Sequence, residues 1–176
     1  NKGASAARNA GLNYCYNHQS AKYFTFLDAD DLWMSNMLQA VMKILKDTDA
    51  DFISYKYNID KIGSDYRTKK TNVNDEITPK NIKIYTNPWE NLKNDYPIDW
   101  KLWTKIYKIS TFRNIYFKEN LKIAEDFLFA WEIRAKANKI VSIDNNIVLY
   151  RDTPMSLSKL TPNITSTASF SIPSST

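Results

Sequence analysis

The alternation of helical and strand patterns along the sequence predicts an α/β protein with helices packed against a central sheet. Short apolar runs suited to strands alternate with helical patterns over most of the 176 residues. A hydrophobic content of 43% and only three glycines exclude a low-complexity or fibrous chain. A chain of this length is sufficient for one domain with a sizeable core.

The first half of the chain contains two helical patterns and two strand patterns. Residues 1–9 read as a loop that enters a helix, which continues to Tyr16. The aromatic run 22–27 is suited to a buried strand, and 51–59 is the next strand. Between them, Ser35 is the expected N-cap of an amphipathic helix. The apolar residues of that helix recur at helical spacing: Leu38, Val41, Met42 and Leu45.

The second half is less regular. Residues 60–98 are polar and interrupted by prolines, which predicts a variable loop region with one short helix. A regular sequence pattern resumes at 100–107. A helix is then expected from Ala124 or Glu125 to Ala137. One face of that helix would carry Phe127, Ala130, Trp131 and Arg134. Two short strands, 140–143 and 147–150, complete the pattern.

Charge and cysteine content narrow the range of partners and compartments. The net charge of +5 is explained by scattered surface lysines or by an anionic partner, either a nucleotide diphosphate or an anionic membrane surface. No Lys/Arg cluster is dense enough to predict nucleic-acid binding. The single cysteine, Cys15, fits a reducing compartment, and no apolar run approaches the roughly 20 residues that span a bilayer. We therefore expect a cytoplasmic protein, soluble or peripheral at the inner face of the cell membrane.

Three aspartates follow the first predicted strand at its carboxyl end. Asp28 and Asp30 are two residues apart, so their side chains point roughly the same way. Ligands of open α/β sheets bind beyond the carboxyl ends of strands, and two carboxylates there suit Mg²⁺ or Mn²⁺ bridging a diphosphate. A turn followed by a helix cap explains the pattern equally well, and Asp31 is the expected cap.

Two other interpretations of these aspartates fit less well. A calcium EF-hand requires glycine and glutamate where this chain has Trp33 and Gln39. A phosphohydrolase of the haloacid dehalogenase type normally has Thr or Val where Leu32 stands. The phosphohydrolase is kept as a less favoured alternative.

A second acidic pair, Glu125-Asp126, is expected at the start of a helix. The helix dipole stabilises ionised carboxylates at that position, and acidic residues are common in first helical turns for that reason alone. Beside a metal site, an aspartate at that position can remove a proton from an acceptor hydroxyl as the hydroxyl attacks a sugar carbon.

Four groups of residues occur in an order and spacing that together match one family. The first is Asn1-Lys2-Gly3-Ala4-Ser5-x-x-Arg8-Asn9-x-Gly11-Leu12. The second is Tyr23-x-x-Phe26-Leu27-Asp28-Ala29-Asp30-Asp31. The third and fourth are Trp103-x-Lys105-x-Tyr107-Lys108 with Phe117-x-Glu119-x-Leu121, and Glu125-Asp126 with Leu149-Tyr150-Arg151, Ser156 and Ser158. This pattern closely resembles glycosyltransferase family 2, whose members are inverting enzymes of the GT-A fold.

The resemblance implies a site for a nucleotide-sugar donor, with UDP-sugars favoured, and a Mn²⁺ or Mg²⁺ cofactor. Asp28 would contact the ribose or the donor sugar, and Asp30 would bind the metal. Arg8 would lie near the nucleotide or form a buried ion pair with the motif carboxylates. Arg151 would reach the diphosphate or form a salt bridge at a strand end. The donor site would also include Asn1 and Gly3, the latter by allowing close approach of the ligand.

The resemblance also implies catalytic and acceptor roles. Asp126 matches the catalytic base, and Glu125 would support it or touch the acceptor. Trp100 and Trp103 are candidates for the acceptor pocket, although core packing is the better expectation for at least one of them. The implied acceptor is a glycan or a lipid-linked saccharide, most often in bacterial capsule, lipopolysaccharide or exopolysaccharide synthesis.

Residues 1–160 are interpreted as a partial GT-A catalytic domain with a mixed central sheet flanked by helices. Family members begin with an apolar strand and loop that hold the nucleotide base. The chain starts inside the first motif, so we expect a C-terminal fragment of a longer transferase. Residues 161–176 are rich in Ser and Thr and are expected to be a disordered tail. The main alternative is a catalytically incomplete fragment that binds the nucleotide sugar or the metal.

Overall fold

The computed structural model of the protein describes residues 3–18, 20–34, 37–61, 79–86, 100–121 and 123–152. Its α-helices are α1 (Gly3–Asn17), α2 (Met37–Thr48), α3 (Ile109–Phe112) and α4 (Glu125–Lys136). Its strands are β1 (Tyr23–Thr25), β2 (Leu32–Trp33), β3 (Phe52–Lys61), β4 (Ile82–Tyr85), β5 (Lys105–Lys108) and β6 (Ile140–Asp152). Two 3-10 turns, Pro79–Asn81 and Leu102–Thr104, precede β4 and β5.

The strands of the described chain form one mixed sheet in the order β1-β5-β3-β6. The central pair, β3 and β6, is parallel, whereas β5 is antiparallel to both β1 and β3. Two strands share the other edge of β6. The antiparallel β4 covers its first half, and the antiparallel β2 covers its second half, with Leu32 opposite Leu149. Strand β6 therefore ends beside the residues that follow β1.

Helices cover both faces of the sheet because neighbouring strand residues point to opposite faces. Tyr107 of β5 belongs to the core that contains residues of α1, α3 and α4, whereas Ile106 belongs to the core that contains residues of α2. Phe52 and Ile53 of β3 divide between the two cores in the same way. This arrangement confirms the predicted α/β fold with a mixed central sheet flanked by helices.

The observed strands differ from the predicted ones in three places. The two strands expected at 140–143 and 147–150 form the single strand β6, because the polar residues between them are absorbed as a bulge. Tyr55 lies opposite Ile143, but Lys56 lies opposite Asn146. The predicted loop region contains β4, and the two-residue β2 was not predicted at all. Both strands form because they pair with β6, and not because of a strand pattern in their own sequence.

The three predicted helices are present, although α1 already begins at Gly3, within the residues expected to form the entering loop, and some packing details differ. Helix α4 begins at Glu125 as expected, yet its packing face consists of Phe129 and Ile133 together with Arg134. Phe127, assigned to the same face as Arg134, is 41% exposed. In α2, Val41 and Leu45 are buried as the helical spacing predicted. The expected cap of α2, Ser35, lies outside the described residues.

Several other expectations also fall outside the described residues: those for Asn1, Ser156, Ser158, the boundary at 160 and the tail 161–176. Cys15, expected in a helix, is half-buried in α1 and packs against the core. None of the helices in the described part of the chain combines the length and the apolar character needed to cross a membrane.

Candidate active site

Helix α1 carries one buried stripe that is polar in its first half and apolar in its second. Ser5 and Asn9 are buried, and Leu12 and Tyr16 continue the stripe into the core. Spacings of four, three and four residues match one face of a helix. The helix starts at Gly3 with a φ of 85°, which favours glycine whatever the space around it.

Asn9 clamps the segment after α3 to helix α1. Its Oδ1 accepts the Phe117 N–H at 2.8 Å, and its Nδ2 donates to the Phe117 carbonyl at 3.0 Å and to Glu119 Oε1 at 2.9 Å. The Tyr16 hydroxyl donates to the Ile115 carbonyl at 3.0 Å. No role was predicted for Asn9 or Glu119. Their presence in the first and third motifs was the available signal.

We expect Asn9→Ala to lower the free energy of unfolding by about 1–3 kcal/mol, because the buried N–H and carbonyl of Phe117 lose their partner. Denaturant unfolding followed by circular dichroism measures the change. The control is Asn17→Ala on the same helix, whose exposed side chain donates only to the Asn13 carbonyl. Equal stability of the two variants would contradict the clamp.

Arg8 brings the carboxylates from two separate motifs together. Its Nη1 lies 2.5 Å from Asp126 Oδ1 and 3.4 Å from Glu125 Oε1. Burial raises the pKa of Asp28, while the charge of Arg8 lowers it and that of Asp30 raises it. Arg8 therefore contacts both carboxylates at the start of α4, and its charge also acts on Asp28 after β1. A buried ion pair was one of the two expectations for Arg8. Arg8 does pair with Glu125 and Asp126, but the side chains of both acids are partly exposed.

A stack of phenylalanines supports Arg8. The guanidinium carbon lies 5.3 Å from the centroid of the Phe117 ring, a favourable cation–π distance. Phe117 stacks on Phe129 with a centroid separation of 4.1 Å, and Phe26 meets both rings edge-on. Rings from three separate segments thus support the Phe117 ring, on which the guanidinium lies.

Helix α4 starts with an unusual backbone conformation. Ala124, its N-cap, has a φ of 64°, a left-handed conformation that favours glycine. The two acidic residues, Glu125 and Asp126, follow directly.

The surroundings of Asp126 shift its pKa. Burial raises the pKa of Asp126, the charge of Arg8 lowers it and that of Glu125 raises it. A raised pKa makes this carboxylate a better proton acceptor than an ordinary aspartate.

Asp31 is not the helix cap that the sequence suggested. It precedes β2 and is 3% exposed, and its Oδ1 accepts the Arg151 N–H at 3.0 Å. Its own N–H donates to the Asp28 carbonyl at 3.1 Å, which closes the aspartate turn. Burial raises the pKa of Asp31 to about 6; the Arg151 hydrogen bond opposes this shift, and the charges of Asp28 and Asp30 add to it. Its Oδ2 has no hydrogen-bond partner among the described residues.

The two candidate acceptor tryptophans have different surroundings. Trp103 is 9% exposed and stacks on Tyr150 at 5.3 Å, so it is the one that packs in the core. Trp100 is 47% exposed, with its ring 6.3 Å from that of Phe127. Arg151 is half-buried at the end of β6, and its charge acts on Asp31.

The aspartates beyond β1 have the donor chemistry of a hard cation. Within the described residues, no group of three or more His, Cys, Asp or Glu side chains is arranged to hold a metal. Asp28 and Asp30 are close enough to affect each other electrostatically, and the buried Oδ2 of Asp31 is unpaired there. Carboxylate oxygens are the ligands that Mg²⁺ and Mn²⁺ prefer, so Asp28 and Asp30 are the two residues here that could hold such a cation.

Comparison with known proteins gives a consistent family. Residues 1–121 match the model of glycosyl transferase family 2. The chain is 25% identical over 167 residues to the uncharacterized glycosyltransferase EpsJ of Bacillus subtilis (strain 168), a match covering 91% of this chain and 45% of EpsJ. It is 27% identical over 170 residues to the glycosyltransferase GlyA of Streptococcus pneumoniae serotype 4, which covers 91% of this chain and 23% of GlyA. The chain thus spans less than half the length of these relatives.

A shorter match links the chain to an Escherichia coli protein whose name states its reaction. It is 34% identical over 58 residues to UDP-Glc:alpha-D-GlcNAc-diphosphoundecaprenol beta-1,3-glucosyltransferase WfgD. This match covers 33% of the present chain and 21% of WfgD.

Solved structures show the same fold. The S. aureus TarS 1–349 complex with UDP has a TM-score of 0.61 at 24% identity, covering 87% of this chain and 41% of TarS 1–349. The complex with UDP-GlcNAc has a TM-score of 0.62 at 24% identity, covering 86% and 40%. These likenesses confirm the predicted GT-A fold. The family model matches most of the chain, including α1, the turn with Asp28, Asp30 and Asp31, and the segment that Asn9 holds. The protein therefore belongs to glycosyl transferase family 2.

Proposed function

We propose that the protein transfers a sugar, with inversion, from a nucleotide-diphosphate donor to a glycan or lipid-linked saccharide. The observation that carries this proposal is the convergence of Asp28 and Asp126 on Arg8. A donor-side carboxylate and a proton acceptor thereby lie at one place, as a transfer reaction requires. UDP-sugars are the favoured donors, because the TarS structures hold UDP and UDP-GlcNAc.

The donor side of the site consists of Asp28, Asp30 and Arg151, with Gly3 at the start of α1. Asp28 contacts the ribose or the donor sugar, and the Arg151 guanidinium matches the geometry of phosphate oxygens. Asp30 would hold Mn²⁺ or Mg²⁺, which would supply positive charge to stabilise the departing diphosphate. Asn1, which lies outside the described residues, belongs to this side on the family resemblance.

Asp126 is the proposed base on the acceptor side. It accepts the proton of the acceptor hydroxyl while the hydroxyl oxygen forms its bond to the anomeric carbon. The bond from that carbon to the diphosphate breaks, and the diphosphate leaves from the opposite face. Glu125 supports Asp126 through their shared contact with Arg8. Of the two tryptophans, the exposed Trp100 is the acceptor candidate.

The proposed setting is bacterial surface polysaccharide synthesis in the cytoplasm, with peripheral contact to the membrane when the acceptor is lipid-linked. WfgD supports this setting, because its name gives a diphosphoundecaprenol acceptor. The net charge of +5 is compatible with both the diphosphate and an anionic membrane surface.

We expect Asp30→Ala to lower sugar transfer roughly 10²-fold, because charge on the leaving diphosphate loses its stabilisation. The assay is UDP release by the complete protein encoded by the gene, with Mn²⁺, a panel of UDP-sugars and saccharide acceptors. The control is Asp144→Ala, which removes an exposed β6 aspartate paired with Lys56. Full activity of Asp30→Ala would remove Asp30 from the metal site.

Two other outcomes would identify the alternatives. UDP binding in the presence of Mn²⁺ without transfer to any acceptor would indicate a catalytically incomplete binding module. Release of phosphate from a simple phosphate ester, without a sugar acceptor, would indicate a phosphohydrolase.

A further inference from the structure

The side chain of Asp31 forms a hydrogen bond to β6 just beyond the point where backbone pairing between β2 and β6 ends. Backbone pairing between β2 and β6 ends at Leu32 and Leu149, and Arg151 lies two residues further along β6. There, the carboxylate of Asp31 accepts the Arg151 N–H at 3.0 Å. A carboxylate therefore takes the place of the backbone acceptor that a longer β2 would provide.

Asp31 is also the one buried acid among the acidic residues whose burial the structure describes. Burying a carboxylate costs free energy unless hydrogen bonds or charges compensate. Asp31 receives one backbone hydrogen bond through Oδ1, and its Oδ2 has no partner within the described chain. An apolar side chain at this position would avoid that cost but would leave the Arg151 N–H without its acceptor.

The residues tied together by Asp31 are those assigned to the donor. The Asp31 N–H closes the turn onto the Asp28 carbonyl, and its side chain holds Arg151. Asp28 and Asp30 belong to the turn at one end of this connection, and Arg151 belongs to β6 at the other. One backbone hydrogen bond and one side-chain hydrogen bond of Asp31 thus link the turn to β6.

We propose that Asp31 is a positioning residue of the donor site. It fixes the turn that contains Asp28 and Asp30 relative to Arg151, so that the turn and Arg151 can bind the same diphosphate. The inference rests on the proposed donor role of these three residues. Asp31 acts through them and does not itself contact the donor. Loss of the connection changes their relative position, which weakens donor binding even when each side chain is present.

The other end of β6 provides a matched control. Asp51 accepts the N–H groups of Asn138 and Lys139 at 2.7 and 2.9 Å, and the Thr111 hydroxyl at 2.7 Å. It performs the same structural task as Asp31, because its carboxylate holds the backbone where β6 begins. None of the proposed donor residues is among its partners.

The experiment measures the dissociation constant of UDP with Mn²⁺ by calorimetry and the melting temperature of the complete protein. Asp31→Ala is expected to weaken UDP binding roughly 10- to 100-fold, as outer-shell partners of ligand-binding groups do. Asp31→Asn keeps an acceptor oxygen for Arg151 and should recover most of the affinity. Asp51→Ala should lower the melting temperature and leave UDP affinity unchanged.

Wild-type UDP affinity in Asp31→Ala, or the same loss in Asp31→Asn as in Asp31→Ala, would overturn the proposal. If Asp31→Ala does not fold, Asp31→Ser carries the same expectation, since its short hydroxyl does not span to the Arg151 N–H. The Arg151 amide gives a separate readout by hydrogen exchange. It should be protected in the wild type and in Asp31→Asn, and exchange faster in Asp31→Ala or Asp31→Ser.

The two readouts separate failure of the inference from failure of the proposed function. An unchanged Arg151 exchange rate in Asp31→Ala would refute the connection itself. Absence of UDP binding by the wild type would refute the proposed donor and, with it, the positioning role of Asp31. The exchange measurement would then still report the Asp31–Arg151 hydrogen bond.

Discussion

Replacing Asp126 with asparagine is expected to lower kcat/KM for sugar transfer roughly 10²- to 10⁴-fold, the usual contribution of a general base. Asparagine has the same shape and keeps an acceptor oxygen for Arg8, whose Nη1 lies 2.5 Å from Asp126 Oδ1. It cannot take a proton. The loss should therefore fall on the chemical step, while the dissociation constant of UDP stays unchanged.

Steady-state transfer assays and calorimetric UDP binding together test this expectation. The matched control is Glu132→Gln, which removes an acid from the same helix that pairs with Lys118 at 3.4 Å. A fully active Asp126→Asn enzyme would exclude the assigned base. A loss of UDP affinity equal to the loss of rate would place Asp126 on the donor side instead.

The pH profile gives the same prediction a second readout. Because burial raises the pKa of Asp126, the acid limb of kcat/KM should lie above the ordinary aspartate range. Arg8 lowers that pKa, so Arg8→Met should move the limb to higher pH, whereas Arg8→Lys should move it less. A limb that is unchanged in Arg8→Met would show that the titrating base is not Asp126.

Phe129→Ala is expected to lower the free energy of unfolding by about 3–5 kcal/mol, the range for removing a large core aromatic. Phe129 is 1% exposed, stacks on Phe117 at 4.1 Å and meets Phe26 edge-on. Truncation leaves a cavity below the ring that carries Arg8. The variant should therefore lose order around the Arg8–Asp126 pair in addition to stability.

Urea unfolding measures the stability change, and Phe127→Ala is a control of the same residue type on the same helix. Phe127 is 41% exposed, so its truncation should cost less than that of Phe129, about 1 kcal/mol. Similar losses for the two variants would contradict the central position of the phenylalanine stack.

Sequence patterns were sufficient for the elements whose signal lies in consecutive residues. The apolar spacing in α2, the aromatic run of β1 and the acidic start of α4 each predicted an element at the observed place. The family motifs also named Arg8, Asp28 and Asp126 before any geometry was considered. Local periodicity and short motifs are properties of the chain itself, and they do not depend on how its distant parts meet.

Long-range pairing decided the remaining features. Strand β2 exists because β6 pairs with it, and the polar interruption in β6 became a bulge against β3. Core packing placed Trp103 inside and left Trp100 exposed. Secondary-structure preference is weak for such short segments, so the tertiary partner determines the outcome.

The aspartates show the same division most clearly. From the sequence alone, Asp28, Asp30 and Asp31 were an acidic turn that could hold a cation or cap a helix. The role of Asp31 depended on the Arg151 N–H, 120 residues away, and that of Asn9 on Phe117, 108 residues away. A carboxylate or amide acts through whichever donor it meets in space. The sequence therefore determined which chemical groups are present, and the folded sheet decided which of them work together.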